Sequence, residues 1–225
     1  SALELTQRTR KVEIDNLFAR AEASPVACVD PDADRGMQAL IDEAKEKGDS
    51  LGGLFEIVAV GVPIGLGSHV HWDRKLDARI AFAMMSINAM KAVEIGLGKG
   101  VSERFGSQVH DEIFYADKVG YFRNRNHAGG IEGGMSNGEP IVVRVAMKPL
   151  PTMPTPLRSV NVSNQTPAEA HYERADVCAV PAAVVVGEAM LALVLANALS
   201  EKIGGDSLVE MRKNFEGLPH APLAW

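Results

Sequence analysis

The sequence predicts an α+β fold, in which strands pack against long helices, and three patterns support this class. Apolar residues recur at helical spacing over residues 35–47 and 73–95. Branched apolar residues dominate residues 54–62 and 141–147, as is typical of buried strands. A longer apolar run over residues 181–203 ends at a glycine pair, which predicts a further helix.

The first part of the chain predicts a helix followed by a strand. Aspartate and proline dominate residues 30–34, which predicts a turn. The amphipathic helix over residues 35–47 is expected to end at Gly48. The strand over residues 54–62 is expected to end before Pro63, because proline has no N–H to donate to a ladder.

The strongest helical pattern covers residues 73–95. Asp73 is expected to cap the amino terminus of this helix, and Gly96 is expected to end it. The apolar face consists of Leu76, Ile80, Ala83, Met84, Ile87 and Met90.

The second half of the chain alternates strands, a loop and helices. Residues 115–125 predict a strand or a hairpin, and residues 141–147 predict a strand with Arg144 on one face. Five prolines make residues 149–168 a loop, with short extended pieces at most. A shorter helix is expected over residues 207–214.

The composition is that of a soluble globular protein. Hydrophobic residues make up 46% of the 225 residues and charged residues 23%, which suffices for a single unit over residues 1–225. A net charge of −6 opposes nucleic-acid binding, which requires a basic surface. The two cysteines suggest no disulfide framework, and no signal peptide is visible, so a cytoplasmic location is expected.

The apolar run over residues 179–196 has the composition of a membrane span. Pro181, Gly187 and Glu188 interrupt it, however, and a span needs about 20 apolar residues. A buried helix and no membrane partner are therefore expected.

Residues 126–138 are the most distinctive stretch, with five glycines among thirteen residues. Glycine permits positive φ and lets backbone N–H groups approach a phosphate or another anion. A pair of tight turns explains the same glycines without any ligand. The spacing matches neither the P-loop nor the dinucleotide-binding fingerprint, so both interpretations remain open.

Three other positions carry polar groups suited to an anionic ligand. Lys148 is followed by a rigid turn with two prolines. Arg174 and Asp176 share a face if their segment is extended, either as ligand-binding and proton-handling groups or as a structural ion pair. Asn88 interrupts an apolar surface, so its amide needs a backbone or ligand partner.

The histidines offer weaker candidates. His69 and His71, with Asp73 nearby, could hold a metal ion on a strand, but a loop before a helix start is favoured. His110, followed by two acidic residues, is either an acid/base group or part of a solvated loop.

The order of these segments resembles the chorismate synthase family. The resemblance extends from about residue 48 to residue 207. The motifs that carry it are Gly61-Val-Pro-Ile-Gly-Leu-Gly67, Trp72-Asp-Arg-Lys-Leu-Asp-Ala78, Met85-Ser-Ile-Asn-Ala-Met-Lys91, Val93-Glu-Ile-Gly96, His110-Asp-Glu-Ile113, the glycine-rich residues 126–138, Arg144-Val-Ala-Met-Lys-Pro149, Arg174-Ala-Asp-Val-Cys-Ala-Val-Pro181 and Gly204-Gly-Asp-Ser207.

This resemblance implies a layered β-α sandwich and a lyase of aromatic amino acid biosynthesis. Such an enzyme converts 5-enolpyruvylshikimate 3-phosphate to chorismate and phosphate by anti-1,4-elimination, and it requires reduced FMN. The family assembles as a homotetramer. The flavin lends electron density as phosphate leaves and takes part in removal of the C6 hydrogen.

The resemblance also implies site residues, and none of them is a metal ligand. Asp176 would lie near the reactive edge of the flavin as the proton-handling residue, and Arg174 would lie where flavin and substrate meet. The other implied FMN contacts are Asn88, Ala89, Gly133, Lys148, Pro149, Leu150, Pro151 and Thr152.

Two departures from the family pattern stand out. Leu97 replaces the acid of the family's Lys-Gly-Val-Glu-Ile-Gly-Asp-Gly motif. The amino-terminal motifs Gly-Glu-Ser-His-Gly and Arg-Pro-Gly-His-Ala-Asp, with two acid/base histidines, do not occur. The chain is therefore interpreted as a carboxy-terminal portion with little or no activity alone. The alternatives are a non-catalytic anion-binding or interaction fragment and a metal-dependent hydrolase using His69 and His71.

Overall fold

The computed structural model describes residues 11–117, 120–174 and 176–218. Helices and strands are mixed in these ranges, as the predicted α+β class requires. The α-helices are α1 (Lys11–Ala23), α2 (Pro31–Lys47), α3 (Leu76–Ser86), α4 (Gly106–Val109), α5 (Val180–Ile203) and α6 (Leu208–Glu216). The strands are β1 (Gly53–Ala59), β2 (Met90–Ile95), β3 (Ile113–Ala116), β4 (Gly120–Arg123), β5 (Ile131–Glu132), β6 (Met135–Ser136), β7 (Ile141–Met147), β8 (Arg158–Val160) and β9 (Pro167–Glu169).

The main sheet has three antiparallel strands in the order β1–β7–β2. Along β1, Ile141 lies opposite Ala59 and Met147 lies opposite Gly53. Along β2, Met90 also lies opposite Met147. The starts of β1 and β2 therefore meet the end of β7. We call this the Met147 end of the sheet and the opposite one the Ile141 end.

Helices α3 and α5 cover one face of this sheet. Phe55 and Ile57 of β1 are buried against α5, where a Cβ added at Gly187 would lie 2.7 Å from Ile57 Cδ1. Val143 and Val145 of β7 lie opposite Ile57 and Phe55 and are fully buried. The glycine in the middle of α5 therefore serves close packing of the helix on the sheet.

Arg144 lies on the opposite face of the sheet. Its Nη1 donates to Glu94 Oε2 at 2.9 Å, and its Nη2 donates to Glu56 Oε2 at 3.2 Å. Glu56 and Glu94 lie opposite Arg144 on the two neighbouring strands. One guanidinium group thus joins all three strands.

The prediction of a helix over residues 73–95 is wrong in its second half. Helix α3 ends at Ser86, and residues 90–95 form the edge strand β2. Ile87 is already extended, with ψ 136°, and Ala89 then adopts φ 70°, in the left-handed region, which turns the chain into β2. Pairing with β7 decides the conformation of this segment, because tertiary contacts outweigh a helical pattern in the sequence.

The predicted caps of that helix are also wrong. Asp73 bonds to the imidazole of His71, and α3 begins after Lys75 without a side-chain cap. Gly96 follows a strand, with φ 59°. The turn predicted at residues 30–34 is wrong as well, because Asp30 caps α2, accepting from the Asp32 and Ala33 N–H groups at 2.8 and 2.9 Å.

The remaining predicted elements are confirmed with small changes of bounds. Strand β7 has the predicted limits, and β1 ends at Ala59, three residues early. The expected hairpin is β3–β4, and the short extended pieces of the proline-rich loop are β8 and β9. Helices α5 and α6 lie where the sequence predicts them.

Helix α5 is less buried than expected. Its buried residues are Ala183, Gly187, Leu191 and Ala198, whereas Val185 and Leu193 are 65% and 66% exposed. Among the described residues it is the one helix long and apolar enough to cross a membrane, and 22% of its most apolar window is buried. One side of α5 therefore packs on the sheet and the other side presents apolar residues outward.

Candidate functional site

The Met147 end of the sheet brings two predicted segments into contact. The Lys148 N–H donates to the Ala89 carbonyl at 2.9 Å, directly beyond the pair formed by Met90 and Met147. Asn88 is exposed beside this contact, as is Lys148. Because Ala89 has positive φ, the chain reverses here and keeps Asn88 next to the end of β7.

The turn of residues 148–152 is attached to the segment that precedes β1. Ser50 Oγ donates to the Leu150 carbonyl at 2.6 Å. A Cβ added at Gly52 would lie 2.8 Å from Pro149 N, so the two segments pass each other closely. Pro151 is exposed and Thr152 is half-buried in this turn.

The segment that begins at Asp176 is attached near the same end of the sheet. The Leu51 N–H donates to the Val177 carbonyl at 2.7 Å, and Leu51 forms a parallel bridge with Cys178. Asp176, which precedes this bridge and α5, is exposed, and so is Arg174.

The segments that carry five predicted polar side chains are thus attached at the Met147 end, and these side chains have almost no protein partners. Within residues 11–117, 120–174 and 176–218, no hydrogen bond or ion pair engages the side chains of Asn88, Thr152, Arg174 or Asp176, and Lys148 reaches only the Pro149 carbonyl, at 3.5 Å. Arg144, by contrast, is paired on both sides. The structural ion pair considered for Arg174 and Asp176 is not formed. An amide, a hydroxyl, two cations and a carboxyl group are left for a polar, anionic ligand.

The glycine-rich residues 126–138 lie at the Ile141 end instead. A Cβ on any of four glycines would overlap or crowd its neighbours, whereas around Gly133 nothing lies within 4 Å. Close packing therefore explains four of the five glycines, against backbone at Gly129 and Gly130 and against side chains at Gly134 and Gly138. Of the five, Gly133 alone faces open space. The crowded pairs are Gly129 with Gly96, Gly130 with Pro140, Gly134 with Lys75 and Gly138 with Ile64.

The structure does not bring Gly133 next to the other predicted residues. The neighbouring Gly134 carbonyl accepts from Leu76 N–H at 2.8 Å, at the start of α3. Asn88 follows the end of the same helix, which has eleven residues. At 1.5 Å per residue, the two ends of α3 are about 15 Å apart.

Asp111 and Asn126 hold the glycine-rich loop, and the sequence reveals neither role. The Asp111 carboxylate accepts from the His127 and Ala128 N–H groups, each at 2.9 Å. The buried Asn126 side chain donates to Pro140 O and accepts from Gly130 N–H, each at 2.8 Å. These contacts span up to 17 residues, so no local pattern predicts them.

A cluster of charged groups surrounds the same loop. Burial raises the pKa of the Glu139 carboxyl above its usual value; the Arg123 guanidinium opposes this shift, and Asp111 and Glu132 add to it. Arg123 itself pairs with Glu132 at 2.8 Å.

The histidine pair forms no metal site with the described residues. His71 Nδ1 lies 2.6 Å from Asp73 Oδ1, and this hydrogen bond holds the pKa of Asp73 below its usual value. No three His, Cys, Asp or Glu side chains in the described ranges are grouped so as to hold a metal ion. The hydrolase alternative therefore lacks a ligand set there.

Comparison with known proteins gives the family. Residues 3–200 match the sequence model of the family described as chorismate synthase. The chain belongs to the chorismate synthase family. It is 59% identical to the chorismate synthase of Desulforamulus reducens over 201 residues, which are 89% of this chain and 52% of that protein. It is also 59% identical to that of Aquifex aeolicus over 197 residues, with 88% of this chain and 50% of that protein covered.

A crystal structure of a chorismate synthase has the same fold. The TM-score is 0.77 at 51% sequence identity, and the match covers 94% of this chain and 56% of that one. The chain thus spans about half the length of the chorismate synthases that it matches.

Proposed function

We propose that this chain forms part of a chorismate synthase active site, which converts 5-enolpyruvylshikimate 3-phosphate to chorismate and phosphate with reduced FMN. One observation supports the proposal: the polar groups at the Met147 end with at most one long protein contact, that of Lys148 with Pro149 O, are those at the positions that resemble the family's site. The family reaction is a lyase step of the shikimate pathway. A cytoplasmic homotetramer is proposed for the whole enzyme.

The residues present fit a flavin nucleotide. Lys148 and Arg174 provide positive charge, and Asn88 and Thr152 can bond to the polar edge of a ring system. Pro149, Leu150 and Pro151 form a rigid turn between Lys148 and Thr152, and Ala89 aligns its neighbour Asn88. Gly133 is kept as a proposed contact because open space leaves its backbone accessible.

Arg174, Lys148 and Asp176 take part in the proposed elimination. The flavin, when bound, supplies electron density as the carbon–oxygen bond to phosphate breaks. Arg174 and Lys148 stabilise the negative charge of the phosphate groups. The Asp176 carboxyl group holds or moves a proton near the C6 position.

Flavin titration tests the assignment of the site. We expect Lys148→Ala to weaken FMN binding by about tenfold or more, since a charge-assisted hydrogen bond contributes about 1.5–3 kcal/mol. Lys99→Ala is the control, because Lys99 is an exposed cation paired with Glu103 beyond β2. Equal affinities of the two variants would contradict the assignment.

A turnover assay tests whether the residues of this chain are sufficient for the family's reaction. We expect little or no chorismate formation from the 225-residue chain with reduced FMN. Normal turnover in a coupled assay would refute this expectation. A non-catalytic anion-binding fragment would also bind FMN without turnover. Turnover that appears when the amino-terminal part of a related chorismate synthase is added would favour the enzyme over this alternative.

A further inference from the structure

We infer that Ser50 is a positioning residue, which holds the turn of residues 148–152 at a fixed place relative to Asp176. The inference rests on the proposed function, because it concerns two parts of the same candidate site. Ser50, Leu51 and Gly52 form the connection between these parts, and we call them the junction.

The first attachment of the junction is to the turn. Ser50 is buried, with 7% exposure, and its hydroxyl donates to the Leu150 carbonyl at 2.6 Å. Pro149 and Pro151 have no N–H, so the turn has few donors with which to fix itself. Among the described residues, no other side chain from outside the turn bonds to its backbone. Ser50 therefore holds the middle of the turn, in addition to the backbone bond from Lys148 to Ala89 at its start.

The second attachment is to the segment of Asp176. The next residue, Leu51, donates its N–H to the Val177 carbonyl at 2.7 Å and pairs with Cys178. Adjacent residues thus bind the two parts of the site, one through a side chain and one through the backbone. No hydrogen bond or ion pair joins the side chains of Lys148 and Asp176, so the junction is the connection that sets their relative position.

The junction itself is held by the end of α2. Gly48 has φ 66°, and its N–H and that of Asp49 bond to the last turn of the helix, to Lys45 O at 3.2 Å and Ala44 O at 2.9 Å. The Ser50 N–H donates to Asp49 Oδ1 at 2.7 Å. The Gly48 carbonyl accepts from Thr155 N–H at 3.0 Å, just beyond the turn. The backbone on both sides of Ser50 is therefore held by hydrogen bonds to α2 and to Thr155.

Hydrogen exchange on the 225-residue chain is the direct test. In Ser50→Ala, the Lys148 and Thr155 amides that flank the turn are expected to exchange about tenfold faster, as loss of one buried hydrogen bond implies. Ser50→Thr keeps the hydroxyl and restores slow exchange. Ser136→Ala is the control: it removes a hydroxyl that is also buried, with 3% exposure, and that donates to Pro63 O at 2.5 Å, remote from the turn. Unchanged exchange in Ser50→Ala overturns the inference.

FMN titration adds a readout that a purely structural role would not move. Ser50→Ala is expected to bind FMN about tenfold more weakly than the wild-type chain, and Ser50→Thr is expected to regain the affinity. Faster exchange with unchanged FMN affinity would also overturn the positioning role. If the wild-type chain bound no FMN, the proposed function would be contradicted, and the exchange rates would still decide whether Ser50 holds the turn.

Discussion

Gly129 and Gly133 lie in the same loop but in different surroundings, so their substitutions are expected to differ in their effect on stability. Gly129 lies against the backbone of Gly96, whereas Gly133 faces open space with φ 60°. Gly129→Ala is expected to cost about 3 kcal/mol, because backbone must move to admit the methyl group. Gly133→Ala is expected to cost only about 1 kcal/mol, the strain of positive φ. Urea unfolding of the two variants measures the difference, and equal costs would show that Gly133 is packed as tightly.

Glu139 makes the stability of the glycine-rich loop depend on pH. Its pKa is raised in the folded state, so its favourable contribution is complete below the usual value of 4.5 and is lost as pH rises through the folded pKa. Glu139→Gln is therefore expected to raise stability at pH 7 and to have a smaller effect at pH 4.

Urea unfolding at several pH values tests this, with the exposed Glu103→Gln as the control. A variant that is less stable than the wild type at pH 7 would refute the role assigned to burial of Glu139.

At the scale of elements, the sequence predicts best where local and tertiary preferences agree. β7 is branched and apolar and also forms the centre of the sheet, so its limits are predicted without error. β2 carries a helical pattern but pairs with β7, and nothing local reveals that pairing. The site follows the same division. The polar residues are visible in the sequence, but the junction that connects them is not, because Ser50 and Leu150 are 100 residues apart.

The break between α3 and β2 leaves strain that a glycine would relieve. Ala89 has φ 70°, where an L-residue is strained and glycine is not. Ala89→Gly is expected to stabilise the chain by about 0.5–1 kcal/mol. The same substitution at Ala92, inside β2, is expected to destabilise it by about 0.5–1 kcal/mol. Thermal unfolding of both variants shows whether each substitution raises or lowers stability. A less stable Ala89→Gly variant would contradict the proposal that Ala89 is strained.

For the molecule as a whole, the outer sides of α3 and α5 are apolar and open. Phe82 of α3 is 80% exposed, and Leu193 of α5 is 66% exposed. Helices that are apolar on the side away from their sheet are expected to lie between two layers. Within the described residues, nothing covers these exposed side chains of α3 and α5.

This surface predicts self-association of the chain in solution. At micromolar concentrations we expect oligomers by sedimentation velocity, because large exposed apolar patches associate. Leu193→Glu is expected to shift the chain towards monomer. Leu54→Glu, at an equally exposed leucine on the opposite face of the sheet, is the control and is expected to change nothing. A wild-type chain that stayed monomeric throughout would contradict the prediction.

The pairing of Arg144 with Glu56 and Glu94 specifies the alignment of the whole sheet. If either edge strand slipped by one residue, its glutamate would turn towards α3 and α5 and carry a charge into the apolar layer. The same slip would leave Arg144 with one carboxylate and bring apolar side chains out to water. Electrostatic pairing across the three strands therefore favours the observed alignment. This alignment also fixes which residues lie together at the Met147 end, where the candidate site is.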